Sequence, residues 1–150
     1  MKIYVGADHK GFELKKVVLD YLKKAGYEAE DVGDDHLDPE DDFPVFAAKA
    51  VHKVLGSEDK DARGILICAS GQGMAIAANR FKGIRAGLGW SVDAAKATRN
   101  DEDSNVLALP ADLLKTDRGQ TAFDIIEVFL ITPFAAAPRF IRRNVELDNL

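Results

Sequence analysis

Gly64-Ile65-Leu66-Ile67-Cys68-Ala69-Ser70-Gly71-Gln72-Gly73 is the stretch that decides how this chain is read. Its first half is an unbroken apolar run, short and β-branched, as in a central strand of a parallel sheet covered on both faces. The glycines then turn the chain, and a helix through about Phe81 follows.

The same alternation continues on either side. Residues 2–6 (Lys-Ile-Tyr-Val-Gly) read as a strand. Leu14, Val17, Val18, Tyr21, Leu22 and Ala25 then recur at helical spacing, and Gly26 suits a C-cap. Residues 28–33 form an acidic strand that belongs at an edge, and residues 34–42 an acidic loop. Asp42 and Pro44 suit a helix start, and Phe46, Ala47, Ala50, Val51 and Val54 mark its buried stripe. Ile84 to Leu88 reads as the next strand, Ser91 caps a helix to about Asn100, and Asn105 to Leu109 is the fifth strand. Helices near 119–131 and 138–147, separated by Pro133, complete the chain. Repeated strand–helix units imply parallel pairing with right-handed crossovers. The expected class is α/β: one domain over residues 1–150, a three-layer α/β/α sandwich around a five-stranded parallel sheet.

Composition narrows the function classes. A chain of 150 residues, 47% hydrophobic and 30% charged, is one ordinary soluble domain with a substantial core. No apolar run reaches the roughly 18 residues of a membrane span, so no membrane partner is expected. Met1-Lys2-Ile3-Tyr4-Val5 reads straight into a strand and lacks the features of a signal peptide. Cys68 is the single cysteine, which excludes an internal disulfide and fits a reducing cytoplasm. A net charge of −5 argues against nucleic acid as partner. It leaves room for an anionic small molecule, since a few arginines and a helix start hold one phosphate. The three histidines and one cysteine show no zinc-ligand spacing, and neither metal nor cofactor is expected.

Open parallel sheets bind ligands beyond the carboxyl ends of their strands, at a topological switch point. This directs attention to two segments. In the first, Cys68 ends a buried strand, and Ala69, Ser70, Gly71, Gln72 and Gly73 lead into a helix. Unpaired amides at a helix start hold an oxyanion or phosphate and favour a thiolate, a base or nucleophile. The plainer reading is an inert core cysteine followed by a turn. In the second, Asp8 and His9 follow the first strand: a carboxylate for sugar hydroxyls and an imidazole for phosphate or proton transfer. The plainer reading is a helix cap and an exposed histidine. Arg139 and Arg143 share one helix face, suited to phosphate oxygens or else to pairing with acids such as Glu146. The cysteine segment is neither a P-loop nor a Gly-x-Gly-x-x-Gly fingerprint, which disfavours a nucleotide-binding module.

Taken together, these features resemble one family. Gly6-Ala7-Asp8-His9-Lys10-Gly11-Phe12, Asp42-Phe43-Pro44, the stretch from Gly64 to Met74, Ala77-Ala78-Asn79-Arg80, Gly83-Ile84-Arg85-Ala86, Asp103-Ser104-Asn105-Val106-Leu107 and the Arg139/Arg143 pair match in order and spacing. The chain is similar to the type B ribose-5-phosphate isomerases and their galactose-6-phosphate isomerase relatives over nearly its whole length. That resemblance implies a Rossmann-like fold, a homodimer with a shared site, and metal-free aldose–ketose isomerisation of a sugar phosphate through a cis-enediolate. It makes Cys68 the base. Ser70 stands where threonine is usual, and the amides of residues 69–73 would hold the enediolate oxygen. Asp8, His9, Arg139 and Arg143 would hold the sugar phosphate.

The chain departs from the family's usual residues at several positions. Asp101 and Glu102 replace a His-Asn pair, Asp112 an arginine, Phe43 a tyrosine and Phe140 a histidine. Carboxylates beside a phosphate repel it, so these positions point to a shifted sugar preference. The alternative from another class is a sugar-phosphate-binding partner subunit with little or no catalysis.

Overall fold

β3 (Arg63–Cys68) is the central strand of the computed structural model, which describes residues 1–150, and all six of its residues are buried. On one side lie β1 (Lys2–Ala7) and the acidic edge strand β2 (Glu28–Asp31). On the other lie β5 (Val106–Pro110) and, at the far edge, β4 (Ala86–Leu88). The order is β2-β1-β3-β5-β4, and every pairing is parallel. Ile65 stands in register with Val5 and Leu107, at the middle of the sheet.

Parallel neighbours require crossovers, and α1 (Phe12–Lys24), α2 (Phe43–Leu55), α3 (Gln72–Ala78) and α4 (Val92–Glu102) supply them. The chain steps one way from β1 to β2 and from β4 to β5, and the other way from β2 through β3 to β4. Right-handed crossovers therefore put α1 and α4 on one face, α2 and α3 on the other. The side chains follow. Ile65 and Ile67 pack with Val18, Leu22 and Ile125, while Leu66 and Cys68 pack with Phe46, Val51 and Met74. After β5 come a short helix α5 (Ala111–Leu114), then α6 (Gln120–Ile131) and α7 (Pro138–Leu147).

Several local expectations hold in detail. Gly26 takes φ 84°, its N–H donates to the Lys23 carbonyl, and the Tyr27 N–H to that of Leu22, a Schellman closure of α1. The buried stripe of α2 is Phe46, Ala47, Ala50, Val51 and Val54, as the spacing requires. The Ser91 Oγ accepts the Ala94 N–H at 3.1 Å and caps α4.

Others are corrected. α3 stops at Ala78 instead of Phe81, because Asn79 turns across to Ala86, donating to its carbonyl and accepting its N–H. The strand expected from Ile84 therefore pairs only from Ala86. β2 ends at Asp31, not residue 33, and β5 is shifted to 106–110. Asn105 is drawn off that strand by bonds to the Gly83 carbonyl and the Arg85 N–H. α4 runs on past Asn100 to Glu102, and α5 has no counterpart in the expected elements. On α1, Val17 is 39% exposed and Lys15 is buried in its stead. The Lys15 ammonium is paired with Asp31 and bonded to the Asp34 carbonyl, which makes its burial tolerable.

Candidate active site

The chain leaves β1 for β2 on one side and enters β3 on the other, so the switch point lies between β1 and β3. The two segments singled out in the sequence meet there. The Asp8 N–H donates to the Ile67 carbonyl, one residue before Cys68. Gly11 passes so close to that strand end that a Cβ would lie 2.4 Å from the Ile67 oxygen. Only glycine lets α1 start this near β3.

Asp8 is buried, and its carboxylate accepts the amides of Lys10 and Gly11, each at 3.0 Å. Burial pushes its carboxyl up, against the opposing pull of those amides and of His9. His9 is held by a residue from the acidic loop. Asp41 Oδ1 accepts the His9 backbone N–H at 3.0 Å and lies 2.6 Å from its Nδ1.

Cys68 is a free, buried thiol at the carboxyl end of β3. Ser70 is exposed, and its Oγ accepts the Gln72 N–H at 3.3 Å. Gly71 takes φ 73°, and a Cβ there would meet Leu88 Cδ1 at 2.5 Å. Gly73 lies under the Phe43 ring, which a Cβ would strike at 2.9 Å. The amides of Ser70, Gly71 and Gly73 have no acceptor within the chain. Such unpartnered amides are able to donate to an oxyanion. No three His, Cys, Asp or Glu side chains converge to hold a metal ion. No helix is long and apolar enough to cross a membrane.

Asp8, His9 and the loop from Cys68 to Gly73 thus share one rim of the sheet. Arg139 and Arg143 do not join them within the chain. α7 packs on α4, and its C-cap Asp148 is bonded to Arg85, which precedes β4 at the amino ends of the strands. Arg143 faces Glu102, whose carboxyl is pushed up by burial and by Asp101 and drawn back by Arg143. Arg139 lies over the Phe140 ring at 4.8 Å. The six residues of β3, roughly 20 Å of strand, separate this rim from Cys68.

A family model described as Ribose/Galactose Isomerase matches residues 3–147. The chain belongs to the ribose/galactose isomerase family. The crystal structure of a ribose 5-phosphate isomerase from Thermotoga maritima superposes with a TM-score of 0.92 at 40% identity, covering 99% of this chain and 98% of that one. Ribose-5-phosphate isomerase B from Mycoplasma genitalium, crystallised with bound ribulose-5-phosphate, gives 0.91 at 33% identity, covering 99% and 94%. A 4-deoxy-4-sulfo-D-erythrose isomerase of a Clostridium species is 40% identical over 136 residues, spanning 89% of this chain and 81% of that protein.

Departures from the usual residues of the ribose/galactose isomerase family fall on both rims. The Asp112 N–H donates to the Ala69 carbonyl, so this acid stands beside the cysteine loop. Lys115 binds its carboxylate at 2.7 Å and, with Lys10 farther off, holds it below the usual carboxylate range. The Lys115 ammonium thus offsets the charge of this acid. Asp101 and Glu102 lie at the end of α4, on the arginine rim. The sequence reading missed Asp41 as well as Lys115. Asp41 sits among several loop acids, and nothing local marks the one that turns inward.

Proposed function

We propose that the chain is an aldose–ketose isomerase of a sugar phosphate, ribose 5-phosphate/ribulose 5-phosphate or a related pentose or hexose phosphate. The whole of residues 1–150 serves as one catalytic domain, in a reducing cytoplasm that keeps Cys68 free. The observation that carries this reading is the convergence of a thiol, three unpartnered amides and an Asp–His pair at the β1/β3 switch. The ligand named in the Mycoplasma genitalium structure supports the substrate class.

In the open-chain aldose, Cys68 as thiolate takes the proton from C2, and the electron pair moves onto the carbonyl oxygen at C1. A cis-enediolate results. The amides of Ser70, Gly71 and Gly73 donate to the developing oxyanion without reorganising, which lowers the barrier. The thiol returns the proton to C1 while the O2 hydroxyl proton moves to O1, leaving a ketose. Ser70 joins Cys68 in the catalysis through its hydroxyl, Gln72 binds the substrate from the same loop, Asp8 accepts a sugar hydroxyl, and His9 meets the substrate's hydroxyl or phosphate oxygens.

Arg139 and Arg143 reach this chemistry from a second copy. In a two-fold dimer the same pair of rims meets twice, so each site takes a cysteine loop from one copy and an arginine helix from its partner. Asp101 and Glu102 would then enter the site with the arginines. They and Asp112 favour a substrate other than the usual pentose phosphate. The sulfonated sugar in the name of the Clostridium relative supports such breadth.

The second reading, a binding partner subunit, is favoured by the acids at positions 101 and 112, and the pairing of Asp112 with Lys115 weakens the second of these grounds. The test is an isomerase assay over pentose and hexose phosphates, sulfonated sugars and free sugars, with Cys68→Ala beside the native chain. Turnover of one substrate, lost in the variant, supports the isomerase. No turnover by a folded, dimeric native chain supports the binding role.

A further inference from the structure

We infer that Asp41 is a positioning residue: its carboxylate fixes the ring and tautomer of His9, so that Nε2 is the atom His9 presents to the substrate. One oxygen, Oδ1, lies 3.0 Å from the His9 backbone nitrogen and 2.6 Å from Nδ1. A carboxylate only accepts, so Nδ1 carries the proton; two lone pairs would repel at that distance. Holding the backbone and the ring through a single oxygen sets both side-chain torsions. The Asp41 side chain is 7% exposed and the His9 side chain 25%. The exposed part of the ring includes Nε2, which has no partner within the chain.

The rest of the acidic loop looks elsewhere. Asp35 pairs with His36 in solvent, the Asp34 carbonyl binds Lys15, and Asp38 accepts the Glu40 N–H. Asp41 is thus the loop acid turned onto the strand end. The other charged groups near His9 are Asp8, which feels both His9 and Asp41, and Lys10, whose charge also reaches Asp112. Asp8 spends an oxygen on the Lys10 and Gly11 amides, so it does not compete for the ring. Carboxylates that orient a histidine in this way govern activity without touching substrate.

The test labels the histidines with nitrogen-15 and reads tautomers at about pH 8, above the ordinary imidazole range. His9→Asn assigns the His9 signal, and His52, on α2, is the internal reference. We expect a pure Nδ1–H tautomer in the native chain and a mixture in Asp41→Ala. Loss of an orienting partner should lower kcat/KM about tenfold in that variant. Asp41→Asn keeps an acceptor oxygen and should restore both the tautomer and most of the rate. An Nε2–H form in the native chain would overturn the inference. So would an unchanged tautomer and rate in Asp41→Ala, or an Asn variant no better than Ala. Should Asp41→Ala not fold, the native tautomer and the Asn variant still decide. Only the kinetic arm rests on the isomerase reading; a native chain without turnover defeats that reading and leaves the tautomer result standing.

Discussion

Replacing Gly11 with alanine would put a Cβ 2.4 Å from the Ile67 carbonyl oxygen, 2.7 Å from its carbon and 2.9 Å from the Ile67 Cβ. The backbone itself offers no objection. Gly11 has φ −91° and ψ −8°, ordinary helical values, so alanine would gain about 0.4–1 kcal/mol through the unfolded chain. Against this stands a steric overlap. A carbon–oxygen contact needs roughly 3.3 Å, so the groups must part by roughly 0.9 Å. The obstacle is the backbone of the central strand, which cannot rotate away. Overpacking of this kind costs about 3 kcal/mol. Moving that carbonyl also breaks its bond from the Asp8 N–H, worth about 1 kcal/mol. The net loss is about 3 kcal/mol, or about 10 °C in Tm. Urea unfolding followed by circular dichroism reads it. Gly26→Ala is the control, since its φ of 84° is unfavourable but no atom lies within 4 Å. It should lose only about 1 kcal/mol. The same shift carries Asp8 and His9 away from Cys68, so kcat/KM should fall in Gly11→Ala and hold in Gly26→Ala. A Gly11→Ala chain as stable as the native one, or more so, would refute the reasoning.

Three further outcomes are expected. If two copies share each site, mixing inactive Cys68→Ala with Arg143→Ala chains should restore about a quarter of native activity, since half the dimers then hold one intact site; no recovery after subunit exchange would contradict a shared site. The Tyr21 hydroxyl donates to Glu127 at 2.8 Å, and burial followed by that bond pushes its pKa from 10.0 up to about 12. The folded chain keeps this proton where the unfolded chain has lost it, so stability should fall as pH rises from 10 to about 12, and Tyr21→Phe should flatten that fall in unfolding titrations. Lys15→Met leaves Asp31 and the Asp34 carbonyl without their buried cation, and chemical denaturation should show a loss of about 2 kcal/mol.

Much of the fold was legible because it rests on local pattern. The apolar run before Cys68 and the stripe on α2 each describe a surface that one element buries, and period alone reveals such surfaces. What escaped depends on partners far along the chain. Lys15 reads as a surface lysine until β2 and its loop bring Asp31 and Asp34 to it. α3 ends early because Asn79 finds Ala86, a strand residue seven positions on. The site divides in the same way. Asp8, His9 and the cysteine loop were legible from the rule that ligands sit beyond strand ends. Asp41 was not, since its bond to His9 spans 32 residues. Arg139 and Arg143 stood out in the sequence as a pair on one helix face, but their rim follows from how α7 packs on α4.

The most direct test of the account is proton exchange in deuterated water, followed by NMR on the sugar phosphate that the native chain turns over. With native protein, deuterium should enter C1 of the ketose as the two sugars interconvert. Cys68→Ala, folded and still binding the sugar, should show neither exchange nor interconversion. Exchange that persists in Cys68→Ala would contradict Cys68 as the base.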